Sequence, residues 1–325
     1  MPNNWLNKKG VEIKKQRYRV SNWSDYNEHL KCRGDINVWL SQAIIDNWYC
    51  EERIYDGTGS TCEYSDVTII ACHEIRQVFK LPLRQTQGFI DSLFKEKGLT
   101  ITCPDYSTLS KRLSRLKIKS PRYKPNSKPD ENIAAIAIDS TGLKRFGRDE
   151  WHQEKHKISA NRSWRKLHVA VDENHYIQGS TLTDKFVHDD EVVEEVLEQI
   201  SGNVDHFTAD GAYDETPVYN QLQQHSPLAD IVIPPAKNAI TSDSSHKLRN
   251  RNISEIKSQG RMQWQRQRNY GWRNYSELSI QRYKRILDRA MHSREMSRQK
   301  NEAMIGCGIL NKMTGIGMPV NFKIG

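Results

Sequence analysis

The sequence predicts an α/β protein in which an α-helical N-terminal region precedes a mixed five-stranded sheet with flanking helices. Between residues 24 and 118, apolar residues recur at helical spacing. From residue 133 onward, short apolar runs typical of buried strands alternate with amphipathic segments. The polar segment between the two patterns contains three prolines and indicates a linker. We therefore predict a helical region at 1–118, a linker at 119–132, and an α/β domain at 133–325 with a small basic insertion at 237–268.

The N-terminal region begins with a basic, polar segment at 1–20, which predicts a loose arm. Helices follow, and the best marked of them has Ser65 as its N-cap, because a serine hydroxyl there satisfies a free backbone N–H. The predicted helical segments are Asp35–Asn47, Asp66–Phe79, Leu83–Phe94 and Thr108–Leu116.

The last of these predicted helices carries a basic cluster. A preceding helix, a short turn and this basic helix together fit a helix-turn-helix DNA reader, which would place Lys111, Arg112 and Arg115 on DNA. A helical bundle with one solvated basic face fits the pattern equally well, since no diagnostic residue is present. Both interpretations stay open at this point.

The α/β region predicts two strands that end at an isolated aspartate. Ile133–Ile138 is wholly apolar and is followed by Asp139, while Val204–Thr208 leads to Asp210. The other predicted strands are Trp164–Val171, Tyr176–Leu182 and Ile231–Ile233, and the helices are His188–Ile200, Glu215–Gln224 and Asn274–Met291. The element order is βββαβαβ, an insertion and a final helix, which is the order of an RNase H-like core.

The formal charge of +9 is distributed unevenly along the chain. Residues 131–240 contain 10 basic and 19 acidic residues, a net of −9, whereas residues 241–300 contain 15 and 5, a net of +10. Residues 1–130 contain 22 and 15, a net of +7. An acidic centre between basic blocks is typical of a protein that holds an anionic polymer around a metal site, so we predict a nucleic-acid partner.

The remaining composition argues for a soluble, cytoplasmic protein. The six cysteines are scattered without a C-x2-C pair, which predicts reduced thiols rather than a zinc ribbon or a disulfide framework. The first residues are polar and lack a secretory apolar core. Apolar runs such as Ile133–Ile138 are far too short to span a membrane, so we expect no membrane partner.

The most informative motif lies near the end of the α/β region. Tyr270, Arg273, Glu277 and Lys284 have the spacing Y-x2-R-x3-E-x6-K in a segment that is predicted to be helical. Steps of four and seven residues return to nearly the same helix face. Glu277 would therefore lie between two cations, where it could face a phosphate and its metal together.

Three acids, Asp139, Asp210 and Glu277, thus come from elements that an RNase H-like core would bring together. Phosphodiester cleavage uses divalent ions that convergent carboxylates hold about 3.5–4 Å apart. Mg²⁺ prefers such oxygen ligands and needs few of them from the protein. We therefore predict these three residues as metal ligands and catalytic residues.

Together these residues resemble the DDE transposases of bacterial insertion sequences, in the superfamily that spans insertion-sequence families four and five. Asp139-Ser140-Thr141 is similar to the D-x-T block, and Asp210–Asp214 is similar to the second-aspartate block. The spacing from Tyr270 to Lys284 matches the YREK signature, and Trp164–Asp172 resembles a W-R-K-L-H-x-x-V-D stretch. The resemblance covers roughly residues 60–320.

The resemblance implies a transposase that cleaves the ends of an insertion sequence and joins them to target DNA. It implies two Mg²⁺ ions, which Mn²⁺ can replace, and double-stranded DNA partners in the form of terminal inverted repeats and target DNA. Arg273 and Lys284 would bind phosphates, and Tyr270 would contact the DNA backbone. Pairing two ends implies a homodimer or a higher oligomer. Glu277 follows Asp210 by only 67 residues, so any insertion domain must be small.

Two other functions stay open: an RNase H-like DNA nuclease without strand transfer, and a catalytically silent DNA-binding regulator. Other acidic and histidine pairs have simpler explanations. His152 and His156 have metal-ligand spacing but no third ligand nearby, and the acids from Asp189 to Glu191 fit the N-terminus of a helix. Asp184 is a weaker candidate for a partner of the catalytic acids.

Overall fold

The computed structural model describes residues 17–51, 63–125, 132–145 and 164–324. The helices are α1 Trp23–Cys32, α2 Ile36–Trp39, α3 Gln42–Asp46, α4 Asp66–Val78, α5 Leu83–Glu96, α6 Tyr106–Arg115, α7 Val193–Leu197, α8 Thr216–His225, α9 Lys247–Gln259, α10 Arg261–Gln267, α11 Asn274–Ile286 and α12 Met296–Ile316. Among the helices of these described ranges, none is both long enough and apolar enough to cross a membrane.

The main sheet has the order β4-β3-β2-β5-β6. Its strands are β2 Ile136–Arg145, β3 Trp164–Asp172, β4 Ile177–Asp184, β5 His206–Ala209 and β6 Asp230–Val232. The first three strands are antiparallel neighbours, whereas β5 runs parallel to β2 and β6 runs parallel to β5. This order and these directions are those of an RNase H-like core, so the predicted fold class is confirmed.

The two faces of the sheet pack against different helices, because successive side chains of a strand point to opposite faces. Ile136 and Ile138 of β2 pack in a core with α7 and α8. Leu143 of β2 and Val169 of β3 belong to a second core, which also contains Tyr283 of α11. The candidate site lies at Asp139 within β2, where the pairing with β5 ends and α11 packs against the strand.

The helical N-terminal region shares this second core. Trp39, Ile75 and Leu109 are fully buried in the same cluster as Ile309 of α12. Asn301 of α12 donates hydrogen bonds to the backbone oxygens of Leu113 (2.6 Å) and Leu116 (3.0 Å). The domain division at 119–132 stays a prediction, and the structure adds that the helices before it pack directly on the last long helix.

Several predicted elements have the expected positions. Ser65 caps α4 by accepting a hydrogen bond from the N–H of Thr68, and Asp105 caps α6 in the same way through Ser107. The strand predictions fall within a few residues of β3, β4, β5 and β6. The predicted end of one strand was wrong. Strand β2 does not stop before Asp139 but continues to Arg145, because β3 pairs with it from Ile136 to Lys144.

The helix predictions needed more correction. The single helix predicted at Asp35–Asn47 is two short helices, since Leu40 has a non-helical backbone and Ser41 starts a new one. The helix predicted from His188 begins later, at Val193, after a 3₁₀ turn at Asp190–Val192. The predicted long final helix ends at Ile286, and Ala290–Met291 forms β7 beside the end of β2.

Two regions that looked irregular in sequence are ordered. The basic insertion forms α9 and α10. In α9, Arg249 lies 2.9 Å from Asp214 and Arg251 lies 2.5 Å from Asp230, whereas α10 buries Trp264 completely. The arm at 1–20 ends in β1 Arg17–Val20, which pairs with β8 Asn321–Ile324. Residues 1–16 lie outside the described residues.

Candidate active site

Asp139 and Asp210 lie side by side on neighbouring strands. The parallel pairing of β2 with β5 runs to Ile138 and Ala209, so the next residue of each strand is one of the two aspartates. Asp210 leaves the strand by capping a 3₁₀ turn, where its carboxylate accepts a hydrogen bond from the N–H of Ala212 at 2.8 Å. The two carboxylates therefore lie next to each other where the parallel pairing of β2 with β5 ends.

Arg273 connects Asp139 to the α11 helix. Its Nη1 lies 3.5 Å from Oδ2 of Asp139, and its Nη2 contacts Oε1 of Glu277 one helical turn later. The side chain of Asp139 is 13% exposed and that of Glu277 is 40% exposed, so the contact spans from the sheet to the surface. The Y-x2-R-x3-E-x6-K motif thus places the cation of Arg273 against Asp139 and the acid of Glu277 against that cation.

The start of this motif is not α-helical as predicted. Tyr270–Arg273 is a 3₁₀ turn that follows Asn269 in the left-handed region (φ 50°), and α11 begins at Asn274. A 3₁₀ turn has three residues per turn, so Tyr270 and Arg273 still share a side. The guanidinium of Arg273 lies 5.9 Å from the centre of the Tyr270 ring.

The electrostatics show that the three acids are close. Burial raises the pKa of Asp139 to about 6, and the carboxylates of Asp210 and Glu277 also raise it. The N–H of Ser140 and the guanidinium of Arg273 act in the opposite direction. Asp139 is therefore a largely buried carboxylate that interacts with the carboxylates of Asp210 and Glu277.

Tyr270 and Lys284 belong to the same environment. Burial raises the pKa of the Tyr270 hydroxyl, and Asp210, Asp139 and Glu277 add to the effect. Burial also lowers the pKa of Lys284, while the nearby Asp139 favours its charged form. All four residues of the motif therefore lie around the two strand-end aspartates.

The donor set of this site is chemically suited to a hard divalent cation, because three carboxylates offer oxygen atoms alone. A raised carboxylate pKa is also what an added cation would reverse. In the part of the chain that the structure describes, no group of three or more His, Cys, Asp or Glu is already arranged around a metal position. Arg273 provides the positive charge between Asp139 and Glu277.

The predicted DNA contacts of the N-terminal region lie elsewhere. Lys111 and Arg115 are exposed on α6. Arg112 is engaged within its own region, since it donates to the backbone oxygen of Tyr64 at 2.9 Å and lies 2.6 Å from Asp66. No described contact joins these three residues to the carboxylate site, so the helix-turn-helix interpretation stays a prediction.

Sequence reasoning missed a polar cluster on the face of the sheet opposite to Asp139. Ser140 donates its hydroxyl hydrogen bond to Asp189 at 3.0 Å, and Lys166 donates to the same carboxylate at 3.0 Å. His168 and Tyr213 are buried close to them. Asp189 is therefore more than an acid at a helix N-terminus. Strand alternation was the available signal, because it places Lys166 and His168 on the same face of β3.

The other candidates have separate roles. Asp184 forms an ion pair with Arg165 where β3 begins and β4 ends. Two tryptophans near the start of the motif also have packing roles: Trp264 is fully buried, and Trp272 packs edge-on against His206 at 4.8 Å. His152 and His156 lie outside the described residues.

Comparison with known families fits this geometry. The family model described as "Transposase DDE domain" matches residues 131–312, more than half of the chain, which include Asp139, Asp210 and Glu277. The chain belongs to the DDE transposase family. A second model with the same description matches residues 31–148, which include most of the helical N-terminal region. Neither match names an insertion-sequence group.

Among solved structures, the DDE transposase chain is similar to a piggyBac transposase in a synaptic complex with hairpin DNA. The two are 12% identical, and the similarity covers 92% of this chain and 78% of the other. The TM-score is 0.38, which is too low to support any conclusion about this chain.

Proposed function

We propose that this DDE transposase is an insertion-sequence transposase of the YREK-bearing group, which cleaves the ends of its element and joins them to target DNA. The observation that carries the proposal is the meeting of Asp139 and Asp210 with Glu277, through Arg273, where the pairing of β2 with β5 ends. The family match supports the general activity. The spacing from Tyr270 to Lys284 supports the group.

Asp139, Asp210 and Glu277 would hold two Mg²⁺ ions, or Mn²⁺ in their place. When bound, such ions polarise the phosphate, activate the attacking oxygen and stabilise the leaving oxygen. The three carboxylates come from two strands and one helix, so the sheet and α11 fix their relative positions. The buried side chain of Asp139 would anchor the set, because it approaches both of the others.

Arg273 and Lys284 would bind phosphate oxygens beside the reacting bond. A guanidinium offers two parallel hydrogen bonds to a phosphate, whereas an ammonium acts as a point charge. Arg273 contacts two carboxylates, and DNA would provide alternative anionic partners. Tyr270, which lies under Arg273, would contact the DNA backbone.

The reaction would proceed in two displacements at phosphorus without a covalent enzyme intermediate. In the first, a water oxygen bonds to phosphorus at the element's end, and the bond from phosphorus to the 3′ oxygen breaks to leave a free 3′-OH. In the second, that 3′ oxygen bonds to a phosphorus of the target, whose own 3′ oxygen leaves. The partners are therefore terminal inverted repeats and target duplex, and pairing two ends requires a dimer or a higher oligomer.

The test uses the full chain with Mg²⁺ and a linear duplex that contains the DNA on both sides of the encoding gene. We expect nicks at one fixed boundary on each side and joining of those 3′ ends to an added plasmid. Cleavage without any joined product would overturn the proposal in favour of a nuclease. Binding of the boundary DNA without cleavage would overturn it in favour of a silent regulator.

A further inference from the structure

A chain of hydrogen bonds leads to Asp139 from the opposite face of the sheet. The backbone N–H of Ser140 donates to Oδ1 of Asp139 at 2.8 Å. The hydroxyl of the same serine donates to Oδ2 of Asp189 at 3.0 Å. Ser140 therefore links the carboxylate of Asp139 to a second carboxylate that lies outside the proposed catalytic set.

Asp189 is itself held in place by Lys166. The ammonium group lies 3.0 Å from Oδ1 of Asp189 and also donates to the backbone oxygen of Val187 at 2.8 Å. Both charged side chains are largely buried, with exposed fractions of 18% for Lys166 and 16% for Asp189. A buried pair with these additional hydrogen bonds has little freedom to move, because breaking it would leave an uncompensated charge.

The strand register explains why Lys166 and His168 can serve this cluster. Ser140 of β2 lies directly opposite His168 of β3, and Gly142 lies opposite Lys166. The ring of His168 is fully buried and approaches Asp189 to 3.8 Å, while its other nitrogen lies 2.9 Å from the hydroxyl of Thr183. The lysine and histidine of the W-R-K-L-H stretch thus face Asp189, a contact that the proposed chemistry does not use.

The consequence for Asp139 is a fixed orientation. Its Oδ1 accepts the N–H of Ser140, while its Oδ2 faces Arg273 at 3.5 Å. A carboxylate that binds a metal gains affinity when a partner holds it in one rotamer, and such partners matter by about 10- to 100-fold. Anchoring the side chain of Ser140 restrains the backbone N–H that Asp139 accepts.

We propose that Asp189 is a positioning residue of the DDE site: with Lys166 it anchors Ser140, which orients the Asp139 carboxylate for metal and DNA. This inference rests on the proposed role of Asp139 as a metal ligand. The competing explanation is that the cluster stabilises only the packing of α7 on the sheet. That explanation predicts lower stability in variants without any change in metal affinity.

The experiment compares full-length variants for Mn²⁺ affinity, measured by electron paramagnetic resonance of the free ion, and for Mg²⁺-dependent end cleavage. Ser140→Ala removes the hydroxyl without leaving Lys166 unpaired, and Ser140→Thr restores a hydroxyl at the same position. Asp189→Asn removes the charge that Lys166 binds. The matched control is Asp190→Asn, since Asp190 lies next in the chain and no described hydrogen bond or ion pair engages its side chain.

We expect Ser140→Ala and Asp189→Asn to weaken Mn²⁺ binding on the order of tenfold or more and to lower kcat with little change in KM for DNA. Ser140→Thr and Asp190→Asn should resemble the wild type in both measurements. A thermal melt of each variant shows whether it folds. If Asp189→Asn fails to fold, the pair Ser140→Ala and Ser140→Thr decides the question.

Asp139→Asn separates this inference from the function on which it rests. If Asp139→Asn loses Mn²⁺ binding while Ser140→Ala and a folded Asp189→Asn bind Mn²⁺ as the wild type does, the positioning role is overturned and the proposed function stands. If Asp139→Asn itself binds Mn²⁺ and cleaves like the wild type, the proposed function fails, and the positioning role fails with it.

Discussion

The guanidinium of Arg273 lies 3.5 Å from the carboxylate of Asp139 and also contacts Glu277. One cation thus neutralises two acids that come from different elements, a strand and a helix. Burial raises the pKa of Asp139 despite this cation, and the carboxylates of Asp210 and Glu277 add to the effect. The site retains an excess of negative charge, which fits a role in binding cations beside DNA.

Neutralising the two cations of the motif should change how DNA binding depends on salt. We expect Arg273→Gln and Lys284→Gln each to weaken binding to all sequences and to reduce the slope of log K against log salt by about one unit. Dissociation constants at several salt concentrations provide the measurement. Lys300→Gln is the control, since Lys300 is an exposed cation on α12. If both variants keep the wild-type slope, Arg273 is a structural partner of Glu277, worth a few tenths of a kcal/mol.

Metal identity should separate DNA binding from cleavage. We expect cleavage with Mg²⁺ or Mn²⁺, binding without cleavage with Ca²⁺, and no cleavage in EDTA, because Ca²⁺ is larger and imposes looser geometry on oxygen ligands. A gel-shift assay and a cleavage assay on the same duplex measure the two properties. Full cleavage in EDTA, or cleavage with Zn²⁺ alone, would be incompatible with the proposed carboxylate site.

Acid should destabilise the protein partly through His73, which lies far along the chain from the catalytic acids. Burial lowers the pKa of His73 to about 4, and the charge of Arg76 adds to the effect. The hydrogen bond between His73 and the Leu109 oxygen acts in the opposite direction. The unfolded chain, with a histidine pKa near 6.5, therefore binds the proton first as the pH falls. The resulting loss of stability begins near pH 6.5 and is complete near pH 4.

His73→Gln should remove this contribution, which amounts to about 2 kcal/mol at pH 5. The measurement is the free energy of unfolding of both proteins at pH 7.5 and at pH 5. We expect the wild type to lose more stability than the variant between the two values. Equal losses would show that His73 does not titrate differently in the two states.

The contact between α12 and the N-terminal helices should be important for stability. Asn301→Ala removes two hydrogen bonds to buried backbone oxygens, of Leu113 and Leu116. Leaving buried acceptors unsatisfied costs about 1–3 kcal/mol. Urea denaturation should show this loss, whereas Lys300→Ala, an exposed neighbour on the same helix, should change stability little. An Asn301→Ala protein as stable as the wild type would mean that water replaces both bonds.

Strand pattern predicted the sheet well, and with it the placement of the acids. The residues just before Asp139 and Asp210, 135–138 and 206–209, are buried on both faces of the sheet, as is typical of parallel neighbours in the core. The four-residue spacing of Arg273 and Glu277 likewise predicted their contact, although Arg273 belongs to a 3₁₀ turn. In both cases a pattern in neighbouring residues was enough to predict which side chains lie close together.

The parts that could not be predicted depend on tertiary contacts. Helix α12 has buried residues all around its surface, so it carries no amphipathic stripe. Helix α9 forms ion pairs with residues that are distant in sequence, Asp214 and Asp230. The link from Lys166 through Asp189 to Ser140 joins two strands and a loop. Strand alternation places Lys166 and His168 on one face, but it does not show that Asp189 contacts Lys166 and Ser140.

The most direct test of the central claim is end cleavage by Asp139→Asn, Asp210→Asn and Glu277→Gln, with DNA binding measured in parallel. Charge stabilisation by metal-holding carboxylates supplies much of the catalysis of phosphoryl transfer, so the loss of one ligand should slow cleavage on the order of 10³-fold. We predict that all three variants bind the boundary duplex as the wild type does and fail to cut it. A variant that binds the duplex and keeps even about a tenth of wild-type cleavage, a barrier change of only about 1.4 kcal/mol, would contradict the claim for its residue.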